Sequence, residues 1–375
     1  MSQLEKLRDE TERLSLELLQ LLNRRAECTL AIAREKQRLG LPIRDPWREA
    51  KLLDHIAEAN QGPLDEPSVR ALFRATIDAC VALMEDRRWK GLRVGGPGPR
   101  VVINVRGHVI GGPDPVYIAG PCSVESEEQV NEAARRLAAM GVGFFRGGAF
   151  KPRTSPYAFQ GLGEQGLKLL RDAGHRYGLA TITEATSPEN APIVAEYADI
   201  IQIGARNMYN YDLLRAVGKT GKPILLKRGL SASLDEWLHA AEYISLAGCD
   251  KIILCERGIR GFGRETRATL DLSIVPLALA ASRLPVVVDV SHAAGRRDIL
   301  APLARAAFGI GAHGVMIEVH PDPDVALSDA EQQLSLDDFA ALQRTVREEL
   351  NRTASALAAQ SSNPAHAADS REVAR

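Results

Sequence analysis

Eight short runs of β-branched and apolar residues recur through the C-terminal two-thirds of the chain. They constrain its fold more than any other feature. They read VYIAG from 116, GFFRGG from 143, LATITE from 179, DIIQIG from 199, PILLKRG from 223, KIILCERG from 251, PVVVDVSH from 285 and GVMIEVH from 314. Near-continuous apolar runs of this length suit strands buried on both faces. Segments with helical periodicity, such as EEQVNEAARRLAAMG and LDEWLHAAEYISLAG, lie between them. Eight buried strands alternating with helices predict an α/β chain of the (β/α)8 barrel type, and the span of roughly 205 residues suits one.

Residues 1–90 are patterned differently. Apolar or small residues at 4, 7, 11, 14, 18, 21, 28 and 32 follow a three-four spacing, which predicts one long amphipathic helix ended by Gly40 and Pro42. A second helix begins at Asp45-Pro46, an N-cap followed by an N1 proline, and a third runs from about Glu66 to Trp89. This region is therefore expected to be a three-helix all-α domain. Residues 91–115 are rich in Gly and Pro and read as a linker with a short hairpin, RVVINV and HVI. The barrel domain is expected over 116–350, and 351–375 as a fraying helix end and disordered tail.

Bulk properties narrow the function. The chain has 375 residues, a net charge of -1 and five cysteines without a CxxC pair. No bulk field favours nucleic acid or an anionic membrane, and no apolar run approaches the ~20 residues that span a bilayer. The charged N-terminus lacks a signal-peptide core, so a cytoplasmic location is expected.

In such a barrel the chemistry gathers where strands end and loops begin. Here those ends would bring Cys122, His292, Glu318 and Asp329 to one face, a mixed S/N/O set for a divalent transition metal. Taken singly, each has an ordinary reading: a packed thiol, a hydrogen-bonded loop histidine, a solvated acidic loop, a helix N-cap. A second cluster is cationic, with Arg146, Lys151, Arg153, Arg206, Lys227 and Arg257 following the strand ends. Six such groups suit phosphorylated or carboxylated substrates. Neither GxxxxGK[ST] nor GxGxxG is present, so no nucleotide cofactor is indicated.

Together AGPCSVES, RGGAFKPRTSPYAFQGLG, IQIGARNM, LLKRG, LCERGIR, DVSHAAGRRD and EVHPDPDVALSDAEQQ resemble the type I-beta class of 3-deoxy-D-arabino-heptulosonate-7-phosphate (DAHP) synthases over residues 91–345. That resemblance implies condensation of phosphoenolpyruvate with erythrose 4-phosphate, the entry step to aromatic amino acids. It implies Cys122, His292, Glu318 and Asp329 as ligands of a metal, commonly manganese. It assigns phosphoenolpyruvate to Arg146, Lys151, Arg206, Lys227 and Arg257, and erythrose 4-phosphate to Arg153, Thr154 and Ser155. Asp289 would lie beside metal and acceptor, and Lys151 would be placed to donate a proton. A synthase acting on a five-carbon sugar phosphate is the related alternative, against which the KPRTS loop argues. Where the family reads GARNMQN this chain has Tyr209, expected to perturb the loop wall of that pocket.

Residues 4–90 resemble the all-helical chorismate mutases, on Arg8, Arg25, Lys36, Asp45, Arg48 and Glu49. The apolar seam 4, 7, 11, 14, 18, 21 continues at Arg25, a charge that needs a partner such as a dicarboxylate. Arg8 and Arg25 are about 25 Å apart along one helix and cannot grip one small molecule together. The resemblance implies a composite site from two interlocked chains, hence a homo-oligomer, dimer or tetramer. One departure matters. Where the family places a Gln or Glu that hydrogen-bonds the breaking ether this chain has Met84, which cannot donate, with Cys80 at the nearby small polar position. The domain is thus expected to turn chorismate into prephenate weakly, or to bind either for feedback. A purely regulatory or dimerising module is the alternative.

Overall fold

The computed structural model describes residues 2–39, 41–86, 89, 91–96, 98–151 and 157–361. The chain divides into two compact units, Met1–Gly91 and Leu92–Arg375.

The first unit has three helices among its described residues: α1 (Gln3–Arg38), α2 (Pro46–Glu58) and α3 (Glu66–Asp86). Asp45 caps α2 by accepting from the Arg48 amide at 3.1 Å, and Pro46 occupies the first turn, where a missing N–H costs nothing. Leu53, Ile77 and Val81 form a small core, with Ile43 and Phe73 packed on it. The seam of α1 does not join that core. Leu4, Leu7, Leu14, Leu18 and Leu21 are 51–60% exposed.

The second unit opens with an antiparallel hairpin, β1 (Ile103–Val105) and β2 (His108–Ile110). Arg106 and Gly107 both have positive φ (52° and 87°), the signature of a type I′ turn. Eight parallel strands follow: β3 (Val116–Gly120), β4 (Phe144–Arg146), β5 (Ala180–Ala185), β6 (Ile200–Ile203), β7 (Ile224–Lys227), β8 (Ile252–Glu256), β9 (Val286–Asp289) and β10 (Gly314–Glu318). They close in the order β10-β3-β4-β5-β6-β7-β8-β9. Helices cover the connections: α4 (Glu127–Ala139), α5 (Glu164–Arg176), α6 (Ala191–Tyr197), α7 (Tyr211–Gly218), α8 (Leu234–Leu246), α9 (Ile274–Ala281), α10 (Val290–Ala294) and α11 (Leu300–Gly309), with α12 (Leu336–Ser361) after the last strand. The chain is therefore the (β/α)8 barrel, preceded by helices, that its sequence predicts. Helix α12 runs past 350, where the barrel domain was expected to end. Of the fraying end and tail expected over 351–375, residues 351–361 belong to α12 and 362–375 lie outside the described residues.

The hairpin decides which pole can hold a site. Ile103 and Ile110 are buried in one cluster with Ile118, Phe144, Ile182, Ile200, Leu225, Ile253, Val287 and Met316, at the N-terminal side of the barrel lumen. Each fully buried isoleucine contributes about 1.5–3 kcal/mol of apolar transfer. The hairpin thus stoppers that pole and leaves the C-terminal mouth open. At the mouth, Gly120 (φ 152°) passes so close to β4 that a Cβ would lie 1.9 Å from the Arg146 carbonyl oxygen. Only glycine fits there, and the close approach brings the Cys122 loop against the end of β4. No helix of the described residues is long and apolar enough to cross a membrane.

Candidate active site at the barrel mouth

A cavity of about 520 Å³ opens at the C-terminal mouth, lined by Arg146, Lys151, Arg206, Lys227, Arg257, Arg260, Arg267, His292, Glu184, Gln202 and Asp329 among others. Five cations singled out in the sequence, Arg146, Lys151, Arg206, Lys227 and Arg257, converge on it. Arg153, Thr154 and Ser155 lie outside the described residues.

Cys122, His292, Glu318 and Asp329 meet at one edge of this cavity, each offering a donor atom within 4.8 Å of the others. They arrive on separate elements: the loop after β3, helix α10, the end of β10 and the loop beyond it. Cys122 Sγ donates to Asp329 Oδ2 at 3.2 Å and accepts from Lys151 Nζ at 3.0 Å. Glu318, fully buried, takes Arg146 Nη1 at 2.9 Å and Gln332 Nε2 at 2.5 Å. His292 Nε2 is 3.5 Å from Glu318, while Nδ1 lies 2.8 Å from Asp289 Oδ2 without an aligned hydrogen bond. A partly exposed imidazole whose buried Nδ1 lacks an aligned partner, beside a thiol and two carboxylates, fits a divalent first-row transition metal.

The electrostatics follow from burial and neighbours. Burial pushes the Cys122 thiol up to about 12, and the Glu318 carboxylate pushes the same way. Burial also holds His292 below its ordinary value, so its imidazole is neutral and its lone pair available. Burial opposes ionisation of Asp329, yet Arg267 at 3.3 Å, His292, the Cys122 hydrogen bond and Lys151 together outweigh it and hold the carboxyl well below the usual range. Lys151 is desolvated too, but the sulfur of Cys122 and the Glu318 carboxylate keep it an ammonium.

Asp289 is fully buried and reaches the cavity only through its partners. Its carboxylate accepts from Lys227 Nζ at 2.5 Å and from the His292 amide at 3.0 Å. Arg257 donates to the His292 carbonyl at 3.2 Å. Tyr209 is absent from the cavity lining; its ring lies beside Gly229, where a Cβ would come within 3.2 Å of it, and its hydroxyl pairs with Glu236. Arg267, Gln332 and Gln333 were not anticipated. Gln333 accepts from the Cys122 amide at 2.9 Å. The two glutamines lie three and four residues after Asp329 and could have been found there; Arg267 left no signal.

In the helical unit a smaller cavity of about 140 Å³ is lined by Arg25, Lys36, Asp45, Arg48, Glu49, Cys80 and Met84, with apolar neighbours. Arg25 Nη1 lies 3.1 Å from Cys80 Sγ, and Lys36 Nζ donates to the Ile43 carbonyl at 2.7 Å. Arg8 is exposed and far along α1, outside this lining.

Comparison with known proteins agrees in both units. The model of the DAHP synthetase I family matches residues 100–354, and that of chorismate mutase type II matches residues 7–85. A phospho-2-dehydro-3-deoxyheptonate aldolase of Thermotoga maritima is 56% identical over 225 residues, covering 60% of this chain and 67% of the relative. A 2-dehydro-3-deoxyphosphooctonate aldolase of Methylobacterium radiotolerans is 34% identical over 243 residues, covering 60% and 85%. The crystal structure of the Thermotoga maritima aldolase, a DAHP synthase, superposes with a TM-score of 0.67 at 50% identity, over 71% of this chain and 77% of that one. With a family model spanning most of the chain and a barrel of matching architecture, the protein belongs to the DAHP synthetase I family and bears a chorismate mutase type II domain at its N-terminal side.

Proposed function

We propose that the barrel condenses phosphoenolpyruvate with erythrose 4-phosphate to give DAHP and phosphate, using a divalent metal, manganese foremost, held by Cys122, His292, Glu318 and Asp329. The observation that supports this most is the joining of an S/N/O/O donor set to a cavity lined by cations. A cation bound there supplies Lewis acidity toward a carbonyl oxygen. Arg206, Lys227 and Arg257 bind the phosphate and carboxylate of phosphoenolpyruvate, and Arg146 and Lys151 close the side nearest the donor set. This holds the enol carbon C3 against the aldehyde carbon, so a two-substrate encounter becomes a positioned one. Lys151 uses two of its three N–H bonds on Cys122, to the carbonyl oxygen and to Sγ, both at 3.0 Å. Among the described residues the third meets no partner, and it would protonate the aldehyde oxygen as the carbon–carbon bond forms. Water then adds at C2 and inorganic phosphate leaves. Arg153, Thr154 and Ser155 would receive the phosphate of the aldose.

The five-carbon alternative has weaker support. The phosphooctonate relatives are near 34% identical and the phosphoheptonate relative 56%. Phosphate release measured with erythrose 4-phosphate and with a five-carbon aldose phosphate, each with phosphoenolpyruvate, separates them.

For the helical unit we propose a chorismate or prephenate site with poor mutase turnover, serving feedback on the synthase. Its cations supply affinity, while Met84 removes the donor. The exposed seam of α1 supports a second copy as its cover, which would also bring the partner's α1 to complete the cavity. Loss of prephenate inhibition in full-length Arg25→Ala supports the feedback reading; unchanged inhibition contradicts it.

A further inference from the structure

Asp329 and Cys122 are 207 residues apart in the chain, yet their side chains meet at 3.2 Å. Asp329 does so from a left-handed backbone, φ 48°, which most L-residues avoid and which aspartate tolerates better than the bulkier ones. Its loop hangs between the end of β10 and α12, so something must hold it.

That something is a partly buried polar latch on the loop after β3. On the near side of Asp329, the Leu327 amide donates to Glu125 Oε1 at 3.0 Å, and Ser123 Oγ donates to the same oxygen at 2.9 Å. The hydroxyls of Ser123 and Ser328 lie 2.7 Å apart, and Glu125 Oε2 is 3.4 Å from His320 Nε2. Beyond Asp329, Gln333 Nε2 donates to the Ser328 carbonyl at 2.8 Å, and Gln333 Oε1 accepts from the Cys122 amide at 2.9 Å. A β-bridge between Val319 and Leu334 closes the base of the loop. Ser123, Ser328 and Gln333 are all buried, and none of the latch residues lines the cation cavity. They cannot touch a substrate there. What they share is a grip on the two donors that come from distant parts of the chain.

We propose that Glu125, with Ser123, Ser328 and Gln333, forms a positioning latch that sets the affinity of the metal site by holding the Asp329 loop against Cys122. The inference rests on the metal reading of Cys122, His292, Glu318 and Asp329. Glu125 is the keystone because its one oxygen accepts from both loops at once, and a partly buried network of this kind works only when every member is satisfied. Without it the Leu327 amide loses its acceptor, and the Ser123 hydroxyl is left with Ser328 alone. The loop then relaxes and Asp329 leaves its left-handed conformation, which costs the metal one ligand.

The test uses the full-length chain stripped of metal, with Mn2+ as probe in equilibrium dialysis. Glu125→Ala weakens Mn2+ binding by about 10–100-fold, the range for partners that orient metal ligands. Phosphoenolpyruvate affinity without metal and kcat at saturating Mn2+ each stay within about threefold, since no cavity group has changed. Glu125→Gln, whose amide oxygen can still accept, restores most of the affinity. In the metal-free Ala variant the amides of 321–333 exchange with solvent faster than in the parent. Ser328→Ala, a milder change, weakens Mn2+ binding in the same direction and decides the matter if Glu125→Ala does not fold. Unchanged Mn2+ affinity in a folded variant, or a fall in kcat at saturating metal with affinity intact, overturns the latch. A Cys122→Ala control separates the two layers: if it binds Mn2+ like the parent, the metal reading itself has failed.

Discussion

Met84→Gln exposes the logic of the helical unit most sharply. Met84 is 4% exposed and lines the small cavity beside Cys80. Glutamine is similar in volume, so packing is nearly conserved. Two effects then oppose each other. In the ligand-free protein a buried amide without partners costs about 1–3 kcal/mol, so the variant melts at a lower temperature. With chorismate bound, the amide N–H meets the ether oxygen as charge develops on it. Restoring such a donor is worth about 2.7–4 kcal/mol in the transition state, roughly a hundredfold to a thousandfold in rate. Affinity for chorismate should change little, because Arg25, Lys36 and Arg48 still meet its two carboxylates. The assay is the loss of chorismate absorbance on the full chain, with affinity from calorimetry. If the parent chain already turns chorismate over as fast as Met84→Gln, the missing-donor argument is wrong and another group must serve.

Three further outcomes are expected at the barrel mouth. Cys122→Ala removes metal and synthase activity together, while Cys249→Ala, buried away from the donor set, leaves metal content unchanged; elemental analysis after dialysis distinguishes them. Arg206→Ala raises KM for phosphoenolpyruvate far more than for erythrose 4-phosphate, and a selective loss of the aldose would show the two pockets to be exchanged. Metal affinity rises with pH. With His292 neutral and the Cys122 thiol pushed up to about 12 by burial, binding expels one proton, so Kd for Mn2+ falls about tenfold per pH unit between roughly pH 7 and 9. A flat profile would mean that the thiol does not ionise on binding.

Much of this architecture is legible in the sequence because burial leaves a mark. Strands covered on both faces read as apolar runs, and all eight lie where those runs occur. Polar residues close four of the runs at their C-terminal ends, and Arg146, Lys227, Asp289 and Glu318 are all buried at the mouth end of their strands. Less legible is whatever depends on loop geometry. Nothing in the run of residues around Arg267 tells that it will fold back onto Asp329. The direction of Tyr209 is equally silent, because the motif that contains it does not tell that its ring will lie beside Gly229. The helical unit shows a third limit. The apolar seam of α1 announces a buried face, yet Leu4, Leu7, Leu14, Leu18 and Leu21 are exposed in the single chain. Periodicity tells that a face wants cover, and not whether the same chain provides it. Arg8 belongs to that same end of α1, which is why it lies outside the cavity its neighbours line.

The most direct test of the account is the condensation itself, run on the full chain after chelation. Phosphoenolpyruvate is supplied with erythrose 4-phosphate or with a five-carbon aldose phosphate, and released phosphate is followed as Mn2+ is restored. The account predicts no release without metal, restored turnover at one equivalent of Mn2+ per chain, and a strong preference for the four-carbon aldose. Turnover that persists under chelator, or a preference for the five-carbon sugar, would contradict it.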